Sequence, residues 1–352
     1  MDIHNSLKEK LEENDALAIK ADKMRSRRSW LPRLLKNWLR NSDGEAECHA
    51  QMLGNQNQMI DIIRSELSRL AHQPPLQPDA RSRLFSDLYI VHSMPKVGGM
   101  SIAATLAANF KDAEVIHVHL LSENGIRLWW TALPDAKQQQ LRDSVLMHIY
   151  NARKAAMMIE AGQLLFPNTQ KRTIVCGVRE PISYALSNYF HSYENLSGRT
   201  CNEITVDMAA NFVVGTLKNQ LDYLGPLLTS PERWLVEEFN EAHNFDIFSH
   251  AFDTGKGYQI YDMEKFKILV IRQENLSSLP VALSSIIGCP AGSIAPVNEN
   301  IGESKAYSGI YRSIKEKLRF DIAFLDTVYS DAYCRKFYSD VERESFKRRW
   351  LS

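Results

Sequence analysis

The sequence has little of what marks a membrane span, a disulfide scaffold or a disordered chain. No window of its 352 residues reaches ~18 uninterrupted apolar side chains, so a transmembrane helix is not expected. There are five cysteines, Cys48, Cys176, Cys201, Cys289 and Cys334. Odd in number, scattered and without a CxxC pair, they argue against a disulfide framework or a zinc site. Net charge is lacking as well, since 42 Lys and Arg balance 42 Asp and Glu. Low hydrophobicity with high net charge, the mark of disorder, is absent. With 44% hydrophobic and 24% charged residues the composition is that of an ordinary globular protein. The length accommodates one large domain or two smaller ones, either able to bury a core without staples. The opening MDIHNSLKEKLEENDALAIK is polar and lacks the apolar stretch of a secretory signal, which makes a cytoplasmic protein the expectation. No internal repeat is visible.

Balance overall hides one uneven region. Residues 23–40, KMRSRRSWLPRLLKNWLR, hold seven Lys or Arg and no acid. Trp30, Leu31, Leu34, Leu35, Trp38 and Leu39 recur at helical spacing between Arg33, Lys36 and Arg40, a short basic amphipathic helix with Pro32 in its first turn. A weaker helical rhythm over 49–72 ends at the Pro-rich stretch 74–79, which divides a helical N-terminal arm, 1–80, from the main domain, 81–352. In that domain LYIVHS, VIHVHLL, TIVCGV and FKILVIR read as short apolar strands. Helical segments at SIAATLAANF, around 135–163, from Pro181, over 205–243 and over 310–350 alternate with them. The pattern predicts an α/β fold with a mostly parallel sheet covered on both faces.

Two segments carry candidate chemistry. The first is the strand, turn and helix at 88–110, with MPKVGGMS at the turn. A helix N-terminus beyond the carboxyl end of a strand offers N–H groups and positive dipole to an anion. Gly98 and Gly99 allow close backbone approach, Lys96 adds a full charge and Ser101 a hydroxyl, so the turn reads as a phosphate cradle or, in the plainer alternative, a structural glycine turn. The Walker A pattern is not met, because the lysine precedes the glycines. The second is VCGVREPISYALSNYF, where a buried strand ends at Arg179 and a helix starts at Pro181. Arg179 and Ser187 suit a second phosphate; alternatively Arg179 pairs with Glu180 or another carboxylate and Ser187 merely bonds its own helix.

In this order and at this separation, the two segments resemble the sulfotransferases that use 3′-phosphoadenosine-5′-phosphosulfate (PAPS). PKVGGMS is similar to their 5′-phosphosulfate loop and REPISYALSNYF to their 3′-phosphate motif. HVHLL, NIGESKAYSGIY and KFYSDVERESFKRRW are similar to a bacterial group described as putative capsular polysaccharide synthesis proteins, and the likeness covers roughly 88–350. It implies a P-loop sulfotransferase-like three-layer fold. It further implies that Pro95, Lys96, Val97, Gly98, Gly99, Met100 and Ser101 hold the 5′-phosphosulfate, that Arg179 and Ser187 hold the 3′-phosphate, and that Lys305 and Tyr307 close over the nucleotide. The chain departs from the pattern at Met100, where the family has threonine, at Glu180, where it has aspartate, and at Ser183 or Tyr184, where it has arginine.

Sulfuryl transfer needs charge stabilisation at the leaving phosphate, for which Lys96 is suited, and a base for the acceptor hydroxyl. His119 is one candidate, sharing a strand face with His117 at the carboxyl end of a strand. His148, in a segment read as helical, is the other. No third ligand at sensible spacing accompanies the paired histidines, so no metal is expected. The resemblance implies a carbohydrate acceptor. The 23–40 helix fits peripheral contact with an anionic inner-membrane surface or, alternatively, packing on its own domain or another chain, and a homo-oligomer is compatible with the sequence. Nucleic acid is not an expected partner, for no recognised binding module accompanies the basic patch. Two rival functions remain: a divergent P-loop kinase using ATP with magnesium, and a non-catalytic membrane-associated assembly protein of the same fold.

Overall fold

A computed structural model of the chain describes residues 88–111, 113–132, 145, 147–156, 158, 159, 172–197, 199–218, 230–264, 266–297 and 306–352. All lie in the second of the two units into which the chain divides, Gln77–Ser352. The basic segment 23–40, the rest of the arm 1–80, and Lys305 lie outside the described residues.

Five strands form one sheet in the order β2-β1-β3-β5-β4. They are β1 (Leu88–His92), β2 (Glu114–Val118), β3 (Arg172–Val178), β4 (Tyr258–Asp262) and β5 (Phe266–Arg272). The pairings β1–β2, β1–β3 and β3–β5 are parallel, and β4 runs antiparallel to β5. The architecture is therefore a mixed, mostly parallel sheet flanked by helices. The four parallel strands coincide with the apolar runs read from the sequence. β1 is buried along its whole length and β3 from Thr173 onward, as strands covered on both faces must be. The fifth strand, YQIYD, was not expected: half-buried at Tyr258, Gln259 and Ile260 and exposed at Asp262, it is an edge strand without a continuous apolar run.

Successive strand residues point to opposite faces, and each face packs its own layer. Val91, Val175, Leu269 and Ile271 pack with Ile102 and Leu106 of α1 (Gly99–Asn109) and with Leu279 and Leu283 of a helix at Leu279–Ile287. On the other face Ile174, Cys176, Val178, Ile268 and Val270 pack with Ile182, Leu186 and Phe190, which lie on the helix following β3 (Pro181–Ser197). This second core is completed by Val213, on the helix Val206–Leu217, and by the C-terminal helices Ile322–Tyr329, Ala332–Phe337 and Asp340–Trp350. The stretch read as helical over 310–350 is a series of short helices. Asp321, Asp331 and Ser339 end each break by accepting a backbone N–H of the next helix as its N-cap.

One cation pins this C-terminal layer to the sheet. Arg272, at the end of β5 and 3% exposed, donates to Asn275 Oδ1 at 2.8 Å, to the Phe337 carbonyl at 3.1 Å and to Glu342 Oε1 at 2.8 Å. Its guanidinium also lies 5.2 Å from the centre of the Tyr338 ring. Because Glu342 is partly solvated, the loss of Arg272 should cost less than a wholly buried pair, yet it strands the Phe337 carbonyl. Arg272→Ala is expected to lower unfolding free energy by about 2–4 kcal/mol, read as an earlier urea midpoint at unchanged m-value.

Candidate active site

The parallel strands end at one edge of the sheet, where Lys96, Arg179 and the candidate histidines come together, whereas nothing brings Ser187 or Tyr307 against the turn among the described contacts. β1 ends at His92, and the chain turns through Ser93–Gly98 before α1 begins at Gly99. Lys96 (φ 67°) and Gly98 (φ 91°) both adopt left-handed backbone, a conformation most side chains disfavour. The turn is held from three sides. A Cβ on Gly99 would lie 2.5 Å from His117 Nε2 and 2.8 Å from Ser93 Oγ; one on Gly177 of β3 would lie 2.8 Å from the Val97 carbonyl; one on Gly98 would strike Leu276 at 2.7 Å. With Gly98 as N-cap, the first intrahelical bond runs from Ile102 N to Gly98 O at 3.1 Å. The N–H groups of the preceding residues face outward from the helix start, as in any helix N-terminus. Pro95, Lys96 and Ser101 are partly buried, Val97 is buried, and Met100 is 46% exposed.

Arg179 follows β3 directly and meets this turn, its Nη1 donating to the Lys96 carbonyl at 2.8 Å. Among the described residues, the buried Arg179 Nε has no partner. Neither Glu180 nor another carboxylate forms an ion pair with Arg179 among the described residues, so the pairing weighed from sequence gives way to a bond to the turn. The Tyr333 hydroxyl accepts from Arg179 N at 3.0 Å and donates to Arg179 O at 2.9 Å.

Glu180 has a different task. Its carboxylate accepts from Ile182 N at 2.9 Å and Ser183 N at 2.7 Å, capping the helix that starts at Pro181, and it receives the Tyr329 hydroxyl at 2.5 Å. The Glu180 N–H donates to Glu274 Oε1 at 2.8 Å. Although Glu274 is exposed as a residue, partial desolvation of its carboxyl raises it above its ordinary range, a trend the Glu180 N–H and Arg179 oppose. Ser187 sits half-buried on the Pro181–Ser197 helix, and Tyr184 is fully buried there. Tyr307 packs on Phe190 of the same helix, ring centres 5.5 Å apart.

The histidines form a row beside the turn. His117 lies on β2 and His119 just past its end, sharing one face while Ile116, Val118 and Leu120 are buried on the other. Their ring centres are 4.8 Å apart; His148, in the helical residues 147–156, is 4.9 Å from His119 and stacks on Trp129 at 5.0 Å. His119 Nδ1 meets the Ser93 carbonyl at 2.7 Å. A carbonyl only accepts, so Nδ1 carries the proton and Nε2 the lone pair of the neutral ring. Burial, then the neighbouring His117 and His148, holds His119 well below the ordinary imidazole range, outweighing the Ser93 bond. Burial, then His148 and His92, lowers His117 to about 4, and burial lowers His148. Among the described residues, the buried His117 Nε2, His148 Nδ1 and Ser93 Oγ have no partners.

Several residues of this edge were not read from the sequence. Glu238 and His243 lie with His92 in a buried group, Trp234 and Glu274 each hold a strand end by one hydrogen bond, and Tyr333 holds Arg179 by two. No local pattern marks them, because each acts on residues roughly a hundred positions away. Among the described residues no group of three His, Cys, Asp or Glu side chains is placed to hold a metal, and no helix is long and apolar enough to cross a membrane.

A family model described as "Putative capsular polysaccharide synthesis protein" matches residues 215–339. This similarity associates the chain in general terms with polysaccharide synthesis. The matched segment is narrower than the 88–350 likeness read from the sequence. It leaves out the turn at 93–101, His119 and Arg179, but includes Trp234, Glu238, Glu274, Tyr307 and Tyr333. No curated protein and no solved structure matches the chain.

The depressed histidines give stability a defined pH dependence. An unfolded His117 takes up a proton near 6.5, whereas the folded one resists until about 4, so the unfolded state binds more protons between those values. His119 and His243 act in the same direction. Stability should be full above pH 6.5 and fall as the pH drops toward 4. His117→Asn should reduce that fall, measured as the difference between urea midpoints at pH 7.5 and pH 5.

Proposed function

We propose that the protein is a PAPS-dependent sulfotransferase that moves a sulfuryl group to a hydroxyl of a carbohydrate. The observation that carries this reading is the junction of the two anion-binding candidates: Arg179 is tied through Nη1 to the Lys96 carbonyl and keeps a buried Nε–H without a partner. A buried guanidinium N–H with nothing to donate to is costly unless a ligand completes it. The Ser93–Ser101 turn, with two left-handed residues and a helix start where a side chain at Gly99 would not fit, suits the close backbone approach a phosphosulfate requires.

On this reading residues 95–101 hold the 5′-phosphosulfate. Arg179 holds the 3′-phosphate, assisted by Ser187, while Tyr307 and Lys305 border the nucleotide. The fit is uneven on the 3′ side: Glu180 already caps the Pro181–Ser197 helix, so that helix start is not free for an anion, and the 3′-phosphate depends on Arg179. Met100 leaves the helix start one hydroxyl donor short of the threonine pattern.

PAPS supplies an activated sulfuryl group whose S–O bond to phosphate breaks as a new S–O bond to the acceptor oxygen forms. Lys96 and the start of α1 offset the charge that develops on the leaving phosphate. His119, its Nδ1–H directed at the Ser93 carbonyl, presents Nε2 to take the proton of the acceptor hydroxyl. Its fixed tautomer favours it over His148, whose Nδ1 has no partner and whose ring lies against Trp129. The carbohydrate acceptor rests on the similarity of residues 215–339 to polysaccharide synthesis proteins. The basic segment at 23–40 would hold the enzyme at an anionic membrane surface, where glycan precursors are often lipid-linked.

Two experiments test the reading. 3′-Phosphoadenosine-5′-phosphate at a hundred times its Kd should stabilise the protein by about 2.7 kcal/mol, seen as a rise in Tm, and Arg179→Ala should abolish the rise. ATP with magnesium should give none. A larger shift with ATP, or none with either nucleotide, would overturn the assignment. With a turnover assay in hand, His119→Asn should lower kcat by ~10²–10⁴-fold and His148→Asn by far less.

A further inference from the structure

The helical run Pro231–His243 contains a π-helical stretch, Trp234–Phe239, and wider turns of this kind are frequent at functional sites. Trp234 and Glu238, four residues apart and so neighbours on one face, both reach the segment that carries His119. Trp234 Nε1 donates to the His119 carbonyl at 2.8 Å. Glu238 Oε1 accepts from Leu121 N at 2.5 Å and Ser122 N at 2.7 Å, and Oε2 accepts the Ser122 hydroxyl at 2.6 Å. Oε1 also stands 3.2 Å from His92 Nε2, an ion-pair distance whose angle departs from hydrogen-bond geometry, and His92 Nδ1 meets His243 Nε2 at 2.9 Å.

Glu238 is fully buried. Space for it exists only because residue 125 is glycine: a Cβ there would stand 2.1 Å from Glu238 Oε2. Burial alone would raise the carboxyl, but His92 and the N–H and O–H donors outweigh it and keep the group below its ordinary value.

The two ends of the Ser93–His119 hydrogen bond are therefore set by one carboxylate. His92, beside Ser93, is on one side of Glu238, and Leu121 and Ser122, just past His119, are on the other. We propose that Glu238 and Trp234 are positioning residues for His119, clamping the strand end so that Nδ1 stays on the Ser93 carbonyl and Nε2 faces the acceptor. That role rests on His119 being the base. The clamp itself is a statement about ring geometry that can be tested without turnover.

The test is the imidazole ¹⁵N spectrum of the full-length protein at pH 8, with His119 assigned by its loss in His119→Asn. Wild type should show a protonated Nδ1 and a bare Nε2. Trp234→Phe, which keeps a ring and removes one N–H, and Glu238→Gln, which keeps the shape and removes the charge, should each show a mixture of the two tautomers. In turnover of PAPS, each variant should lower kcat about 10–100-fold with KM for PAPS within twofold, the pattern of a misplaced base rather than a lost nucleotide site. Unchanged His119 nitrogens in Trp234→Phe, the milder variant, overturn the clamp even if Glu238→Gln fails to fold. A wild-type protein that binds no nucleotide defeats the transferase reading instead, and the tautomer ratio still decides the clamp.

Discussion

Everything at the sheet edge depends on how closely the turn after β1 lies against its neighbours. Gly99 and Gly177 occupy positions where a single methyl group would collide with His117 or with the Val97 carbonyl, so the turn is gripped between β2 and β3 with no room for a side chain. This contact brings Lys96 within reach of Arg179 and sets the start of α1 beside the histidine row. A looser turn would separate the two cationic elements and leave two unrelated strand ends. Lys96 and Gly98 bear the cost as left-handed backbone, which persists only where surrounding contacts fix it.

Around that contact the charges are sorted. One side of the edge carries Lys96 and the partly buried Arg179, joined through the Lys96 carbonyl. The carboxylates close by are each engaged elsewhere: Glu180 with two helix N–H groups and a tyrosine, Glu274 with the Glu180 N–H and the Tyr338 hydroxyl. The buried Glu180 is tolerable there because its lone pairs are occupied in this way. The tyrosines from the C-terminal helices thus act on the site at one remove, by holding Arg179 and Glu180 in place.

The parallel strands and the glycine turn after β1 were legible because their causes are local. Apolar runs of five to seven residues, glycines at a turn, and proline at a helix start can each be read over a few positions. His119 was legible for the same reason, by its alternation with Val118 and Leu120. The edge strand YQIYD escaped because an edge needs only one buried face and leaves a weak pattern. Glu238 escaped for a deeper reason: a buried glutamate looks like any surface acid in WLVEEFNEAH, and what makes it a core residue is Gly125 and three donors near residue 121, brought in by the fold. Both glutamate systems, at 238 and 274, lie in the segment similar to polysaccharide synthesis proteins, whereas the turn and Arg179 lie outside it.

That division has a physical consequence. A turn that binds phosphate needs few residues and can be built by any strand, glycine turn and helix, so its sequence is short and tolerant. The supports that aim its neighbours must satisfy buried carboxylates completely, and each support constrains many positions at once: a carboxylate, its donors, the glycine that makes room and the helix distortion that delivers it. The residues matched by the family model, 215–339, include these supports and leave out the turn and Arg179. On the proposed function, the short turn and Arg179 would face the sulfuryl donor, while Glu238 and Trp234 would set how sharply His119 is aimed.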